Sequence, residues 1–308
     1  MSNIGRRDFI KNSGLALLAL TAPPVVAASS ESLISKPIPT TGEPLVSVGM
    51  GTWQTFNVGS DQKLRDHRCQ ILQTFFGAGG QIIDSSPMYG SSHEVVGYCL
   101  KKLGFPDRLF SADKIWTSDG DATRSQFQAI ASHWNQPKLD LMQVHNLVSW
   151  EEHLETLKKM KQQGTIRYLG ITTSHGRRHN EFEQIMRKEP LDFVQLTYNI
   201  RYREVEARLL PLAKEKGIAV IANRPFDGGH LPRQLQGNQA PLPSWAADIQ
   251  CQNWPQFLLK FITSHPAITC AIPATTQIEH MQENMGAAKG ELPDEKMRQK
   301  MLRYFQSL

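Results

Sequence analysis

From residue 44 onward the chain repeats one pattern: a short apolar run, then a stretch with helical spacing. The apolar runs are 45–50, 81–84, 109–114, 139–145, 166–172, 192–198, 218–223 and 267–273. Most lack the in-out alternation of a half-wet sheet, as expected of parallel strands covered on both faces. The stretches between them keep the helical period. In "SWEEHLETLKKMKQQG", Trp150, Leu154, Leu157 and Met160 fall on one face, Ser149 with Glu152 makes a capping box, and Gly164 ends the helix. The segment 61–76 repeats this with Leu64, Ile71, Leu72 and Phe75. Eight such units predict an α/β fold, a single-domain (β/α)8 TIM barrel over residues 44–308. A doubly wound sheet would need a glycine-rich fingerprint after an early strand. "GMGTWQ" has Gly49 and Gly51 but no third glycine. The stretch 228–244, rich in Pro and Gly, reads as a long surface loop.

The chain ahead of the barrel follows another grammar. Residues 1–27 place Arg6-Arg7 before the apolar stretch "GLALLALTAPPVVA", with small residues offering cleavage after Ala27 or Ala28. The run is too short to span a bilayer and Pro23-Pro24 interrupts it. It reads as a signal peptide, and the paired arginines resemble a twin-arginine (Tat) signal. The expectation is delivery to the periplasm by the Tat export machinery, with no stable membrane anchor after cleavage. Residues 28–43, "ASSESLISKPIPTTGE", are aperiodic and read as a linker.

Charge excludes little. The formal charge is +5, and Arg6, Arg7 and Lys11 against Asp8 account for +2 of it. The remaining excess, without a Lys/Arg run interleaved with aromatics, argues against a nucleic-acid partner. Cys69, Cys99, Cys251 and Cys270 are widely spaced, with no CxxC pair. Cys69, Cys99 and Cys270 sit among apolar neighbours, so buried thiols are expected there; a periplasmic disulfide is the alternative and has no support in the spacing.

In a barrel of this kind chemistry gathers at the C-terminal ends of strands. Asp84 ends the second apolar run and Tyr89 follows in the next turn, within "QIIDSSPMYGSSHEVVG". Lys114 ends the third run and His145 the fourth. Each has an ordinary reading: a helix-capping Asp, a solvated Lys, a structural His. Three neighbouring strands delivering ionisable groups to one rim make a site the better reading. A lysine cation near a tyrosine favours the phenolate and lowers the phenol's pKa. Asp84 would hold that lysine charged, and His145 would polarise a carbonyl.

These segments resemble the aldo/keto reductases over roughly residues 44–290. The resemblance identifies Asp84, Tyr89, Lys114 and His145 with that family's catalytic tetrad. "SVGMGTWQ" resembles the first strand, with Gly51, Thr52 and Trp53 near the nicotinamide. "GTIRYLGITTS" puts Thr172 and Thr173 where many members have Ser-Asn, and "DFVQLTYN" puts Gln195 against the nicotinamide. Asn223, Arg224, Pro225 and Phe226 occupy the segment where many members stack a tyrosine. "IPATTQIEHMQEN" resembles the segment holding the adenosine phosphate: Ile272, Pro273, Ala274, Thr275, His280, Glu283 and Asn284. NADP-preferring relatives often carry Lys and Arg where this chain has Ala274 and His280.

The resemblance implies NAD(P)H-dependent reduction of an aldehyde or ketone, with NADP(H) the cofactor and NAD(H) the alternative. Trp53 and Met88 would line the mouth for a small-molecule carbonyl substrate. The rival readings are a catalytically idle cofactor-binding or sensor module and a metal-dependent hydrolase. No metal is expected: "HEVVG" has Gly97 where a zinc protease needs its second histidine, and His175 with His179 lies in a charged stretch.

Overall fold

The structure, a computed structural model, describes residues 33–308. Ten strands follow in order: β1 (Ser35–Pro37), β2 (Pro44–Val46), β3 (Met50–Gly51), β4 (Ile82–Asp84), β5 (Phe110–Ile115), β6 (Leu139–Val144), β7 (Ile166–Thr172), β8 (Phe193–Thr197), β9 (Ala219–Asn223) and β10 (Cys270–Ala271). The last eight form one parallel sheet in the order of the chain. A parallel bridge between Val48 and Ala271 joins its two edges, with the Gly49 N–H donating to the Ala271 carbonyl at 2.8 Å. The sheet is a barrel with helices outside, the (β/α)8 arrangement the periodicity predicts.

Two apolar layers follow from burial on both faces. Inside the barrel lie Phe110, Tyr168 and Phe193 with Leu141, Ile221 and Ile272. The three aromatic rings pack with centroids 5.4 to 5.9 Å apart. Gly170 pairs with Phe193 across β7 and β8, and a Cβ there would meet the Phe193 carbonyl oxygen at 2.5 Å. Only glycine lets the two strands approach so closely. The outer faces pack against the helices. Gly97, in the helix Ser92–Leu103, sits where a Cβ would meet the His133 carbonyl oxygen at 1.7 Å. A histidine in its place is sterically impossible.

Four sequence expectations need correction. Residues 33–43 are not a linker: β1 pairs antiparallel with β2, and Ile38 is wholly buried among the barrel's interior residues. Tyr168 donates to Glu43 at 2.6 Å, and Lys36 Nζ donates to the carbonyls of His265 and Ile268. The hairpin therefore floors the barrel at its N-terminal end. The segment 228–244 is not all loop, since His230–Gly237 is helical. Ser149 has a left-handed backbone (φ 43°) and no capping bond. Its hydroxyl donates instead to the Ser118 carbonyl. Leu64 is 41% exposed, whereas Ile71, Leu72 and Phe75 are buried.

The fifth correction concerns cysteine. Cys69 and Cys99 form a disulfide between the helices Gln62–Gly77 and Ser92–Leu103, with Cα atoms 4.8 Å apart. Cys251 and Cys270 are free and buried, the latter as expected. The expected signal peptide lies outside the described residues.

Candidate active site

β4 and β5 bring Asp84 and Lys114 together. Lys114 Nζ donates to Asp84 Oδ2 at 2.6 Å and to the Ser85 carbonyl at 2.6 Å. Asp84 Oδ1 accepts from Gln195 Nε2 at 2.8 Å and more loosely from Gln143 Nε2 at 3.4 Å. Every neighbour of Asp84 donates, which suits a carboxylate and not a carboxylic acid. Burial opposes both charges. It pushes Asp84 up against the pull of Lys114 and Gln195. It also works against the Lys114 ammonium, yet the Asp84 charge holds that group above its ordinary value. The pair is thus Asp⁻ and Lys⁺.

Tyr89 stands over this pair, its ring centre 5.5 Å from Lys114 Nζ. It ends the short 3₁₀ turn Pro87–Tyr89, whose tight geometry Pro87 favours at the first position. Ser92 donates to the Tyr89 carbonyl at 2.8 Å, tying the turn to the next helix. Burial pushes the Tyr89 phenol above its ordinary value, and Lys114 pulls it down by less. The expected lowering by the cation is present, but desolvation outweighs it. Tyr89 is therefore a protonated phenol at neutral pH.

His145 completes the rim. Its ring meets Tyr89 edge-on, centroids 6.1 Å apart, and its Nδ1 lies 2.7 Å from Ser86 Oγ. Burial, with Lys114 adding repulsion, pushes its pKa down to about 3. It is a neutral imidazole across the physiological range. Behind the rim Asp113 is fully buried. It accepts from the Lys114 backbone N–H at 2.7 Å and Trp134 Nε1 at 2.8 Å, and pairs with His93 Nε2 at 2.8 Å. His93 belongs to the helix that follows Tyr89, so this pair braces the acid's turn against the lysine's strand.

A cavity of about 370 Å³ opens above these groups. It brings together Asp84, Tyr89 and His145 with Gly51, Thr52 and Trp53 from the β3 end. Thr172, Thr173 and Gln195 line it, as do Asn223, Arg224, Pro225 and Phe226. Ile272 and Ala274 close the remaining side. Trp53 and Met88, each 41% exposed, stand at its mouth. Lys114 lies beneath it. Pro273, Thr275, His280, Glu283 and Asn284 lie outside it: Pro273, Thr275 and Asn284 are buried, Glu283 is half-buried and His280 is exposed.

The lining fits an amide-bearing ligand. Gln195 spends Nε2 on Asp84, and no hydrogen bond engages its Oε1 among the described residues. Thr172 Oγ accepts the Asn146 N–H at 3.1 Å and keeps its own hydrogen to give. Thr173 does not share that freedom, because its hydroxyl donates to the Arg177 carbonyl. Asn223 is also engaged, accepting from Thr197 and donating to the Thr173 carbonyl. Arg224 holds its guanidinium 6.0 Å over the Trp53 ring and donates to Asp227 at 3.0 Å. Asn284 is 2% exposed.

Sequence reasoning missed Ser86, Asn146, Ser174, His175 and Arg177, which touch or line the site. All of them fall within five residues after a strand end. The same strand-end rule reaches them, but nothing in their residue types separates them from ordinary loop. Among the described residues no group of His, Cys, Asp and Glu is arranged for a metal, and no helix is long and apolar enough to cross a membrane.

Known proteins resemble this chain over most of its length. Residues 47–300 match the model of the aldo/keto reductase family. A methylglyoxal reductase of Escherichia coli is 28% identical over 255 residues, spanning 80% of this chain and 87% of the relative. An NADH-specific methylglyoxal reductase of the same organism is 23% identical over 324 residues, spanning 84% and 94%. A crystal structure of an aldo/keto reductase from Klebsiella pneumoniae with NADP and acetate superposes with a TM-score of 0.72. It is 23% identical, covering 85% of this chain and 92% of that one.

Proposed function

This chain belongs to the aldo/keto reductase family, and from that premise we propose that it reduces an aldehyde or ketone to an alcohol, with Tyr89 as the acid. The observation that carries the proposal is the buried Lys114–Asp84 pair directly beneath Tyr89, with neutral His145 beside it. A reduced nicotinamide, when bound, supplies hydride. Gln195 Oε1 and the Thr172 hydroxyl would hold its carboxamide, and Thr275 and Asn284 would meet the adenosine end. The substrate carbonyl enters between Trp53 and Met88, and its oxygen comes to rest between Tyr89 and His145. His145 donates a hydrogen bond to that oxygen. As charge builds there, Tyr89 delivers its proton, and Lys114 stabilises the phenolate left behind. Asp84 keeps Lys114 in place and charged. An idle cofactor-binding module would have no need of this complete constellation.

NADP(H) is the cofactor we favour, with NAD(H) as an alternative. One relative is crystallised with NADP and another is named NADH-specific. For location we propose periplasmic delivery through the twin-arginine route. The Arg6-Arg7 leader supports it. So does the Cys69–Cys99 disulfide, a bond that persists in oxidising compartments.

The deciding experiment is Tyr89→Phe. The ring still packs, and only the transferable proton goes. Methylglyoxal reduction with NADPH should fall by ~10²–10⁴-fold, the usual worth of a general acid, while nucleotide affinity by fluorescence titration stays unchanged. Near-native turnover removes Tyr89 from the chemistry.

A further inference from the structure

We propose that Ser86 is a positioning residue that decides which nitrogen of His145 carries the proton. For its catalytic meaning this rests on the reductase reading, though the tautomer itself does not. Ser86 is 0% exposed and His145 6% exposed. Ser86 Oγ lies 2.7 Å from His145 Nδ1, and no other partner meets that hydroxyl among the described residues.

A serine hydroxyl has one hydrogen to give, and a neutral imidazole has one N–H. Two arrangements are open. In the first, Ser86 donates to Nδ1 and the ring hydrogen sits on Nε2. The serine hydrogen is then satisfied, and the ring N–H is left for the cavity that His145 lines. In the second, Nδ1–H donates to Ser86 Oγ, and the serine hydrogen is left buried with no acceptor. A buried donor without a partner carries the full penalty of its lost hydration. The first arrangement wins. A doubly protonated ring, the third formal possibility, is opposed by burial and by the Lys114 charge.

The consequence reaches the reaction. Nδ1 is taken, so Nε2 is the nitrogen left for the cavity that the ring lines beside Tyr89. With hydrogen on Nε2, His145 offers a donor to a carbonyl oxygen. With hydrogen on Nδ1, it would offer a lone pair and repel that oxygen. Ser86 is extended (φ −161°, ψ 148°) and begins the turn that ends in Tyr89. Its carbonyl accepts the Tyr89 N–H at 3.0 Å. One stretch, 84–89, therefore fixes the lysine through Asp84, the histidine through Ser86, and the acid at Tyr89.

The test uses the full chain with labelled histidine and nitrogen NMR, which distinguishes the two tautomers. The His145 ring signals are identified by their loss in His145→Gln. The wild type should be protonated at Nε2. Ser86→Ala should shift the population toward Nδ1–H and lower kcat for methylglyoxal about tenfold, with the NADPH dissociation constant unchanged. Ser86→Thr, which restores a hydroxyl, should recover both the tautomer and kcat. A wild-type ring protonated at Nδ1 overturns the proposal. So does Ser86→Ala with an unchanged tautomer, or with a changed tautomer and unchanged kcat. If every form lacks reductase activity, the reductase reading fails, while the NMR still decides the tautomer.

Discussion

Lys114 and Asp84 meet at 2.6 Å with 0% and 2% of their side chains exposed, so neither charge can be spared without stranding the other. Lys114→Met leaves a carboxylate buried without its cation. Breaking such a pair costs ~3–5 kcal/mol, and urea melts should record a loss of that order. The double variant Lys114→Met with Asp84→Asn removes both charges and should recover much of the loss. Equal destabilisation in single and double variants would mean that packing, not charge, is at stake.

His145 makes stability depend on pH in a definite direction. Its folded pKa is pushed down to about 3, whereas an unfolded histidine titrates at ~6.5. Between those values the unfolded chain binds the proton and the folded chain does not. Stability is therefore intact above the unfolded value and is lost as pH falls toward 3. His265, pushed down to about 4 chiefly by burial, acts the same way. Unfolding free energies measured through this window should fall with acid, less steeply in His145→Gln. If the slopes match, His145 is not buried neutral in solution.

Catalysis should ignore that titration. The histidine is neutral throughout, so kcat/KM should show no acid limb between roughly pH 5 and 8, where an ordinary imidazole titrates. An inflection there that disappears in His145→Gln would contradict the neutral donor.

Nucleotide choice should be weakly enforced. On the family resemblance, Ala274 and exposed His280 occupy the positions where NADP-preferring relatives often carry Lys and Arg. A charge-assisted bond is worth ~1.5–3 kcal/mol, about 10–100-fold in affinity. His280→Arg should strengthen NADPH binding by about that factor and leave NADH unchanged. A wild-type NADPH preference on the order of a thousandfold or more would point to another cation, with Arg224 the first to substitute.

Export and oxidation should travel together. Arg6→Lys with Arg7→Lys should hold the protein in the cytoplasm, folded, with Cys69 and Cys99 as thiols. The wild type recovered from periplasm should be disulfide-bonded and more stable by ~2–4 kcal/mol. Unimpaired export of the double variant counts against the twin-arginine reading.

The barrel and its rim were legible because two periodicities and one rule locate them. Parallel strands buried on both faces show as continuous apolar runs, and chemistry falls at their C-terminal ends. Asp84, Lys114 and His145 were therefore readable by position alone. The hairpin over 35–46 was not, because Ile38 is a lone apolar residue in a Ser/Thr/Pro-rich stretch, and Leu45 with Val46 read as the start of the first barrel run. Only the barrel interior beneath them gives them a core. The Cys69–Cys99 bond was hidden for a similar reason. It joins two helices whose side-by-side packing is a tertiary fact, and thirty residues of spacing say nothing about it. Gln195 was named as an expected cofactor contact, but its bond to Asp84 depends on the three intervening strands, β5 to β7, curling into a closed ring.

The disulfide also makes each molecule a record of where it has been. Cys69 is 4% exposed and Cys99 fully enclosed. Small thiols outside have little access to the sulfurs once they are joined. A molecule that has once met an oxidising environment is lighter by a pair of hydrogens and should keep that mark after lysis. Intact mass then works as a travel stamp. If the proposed export holds, within one unfractionated culture it would sort the copies that have crossed the membrane from those that have not.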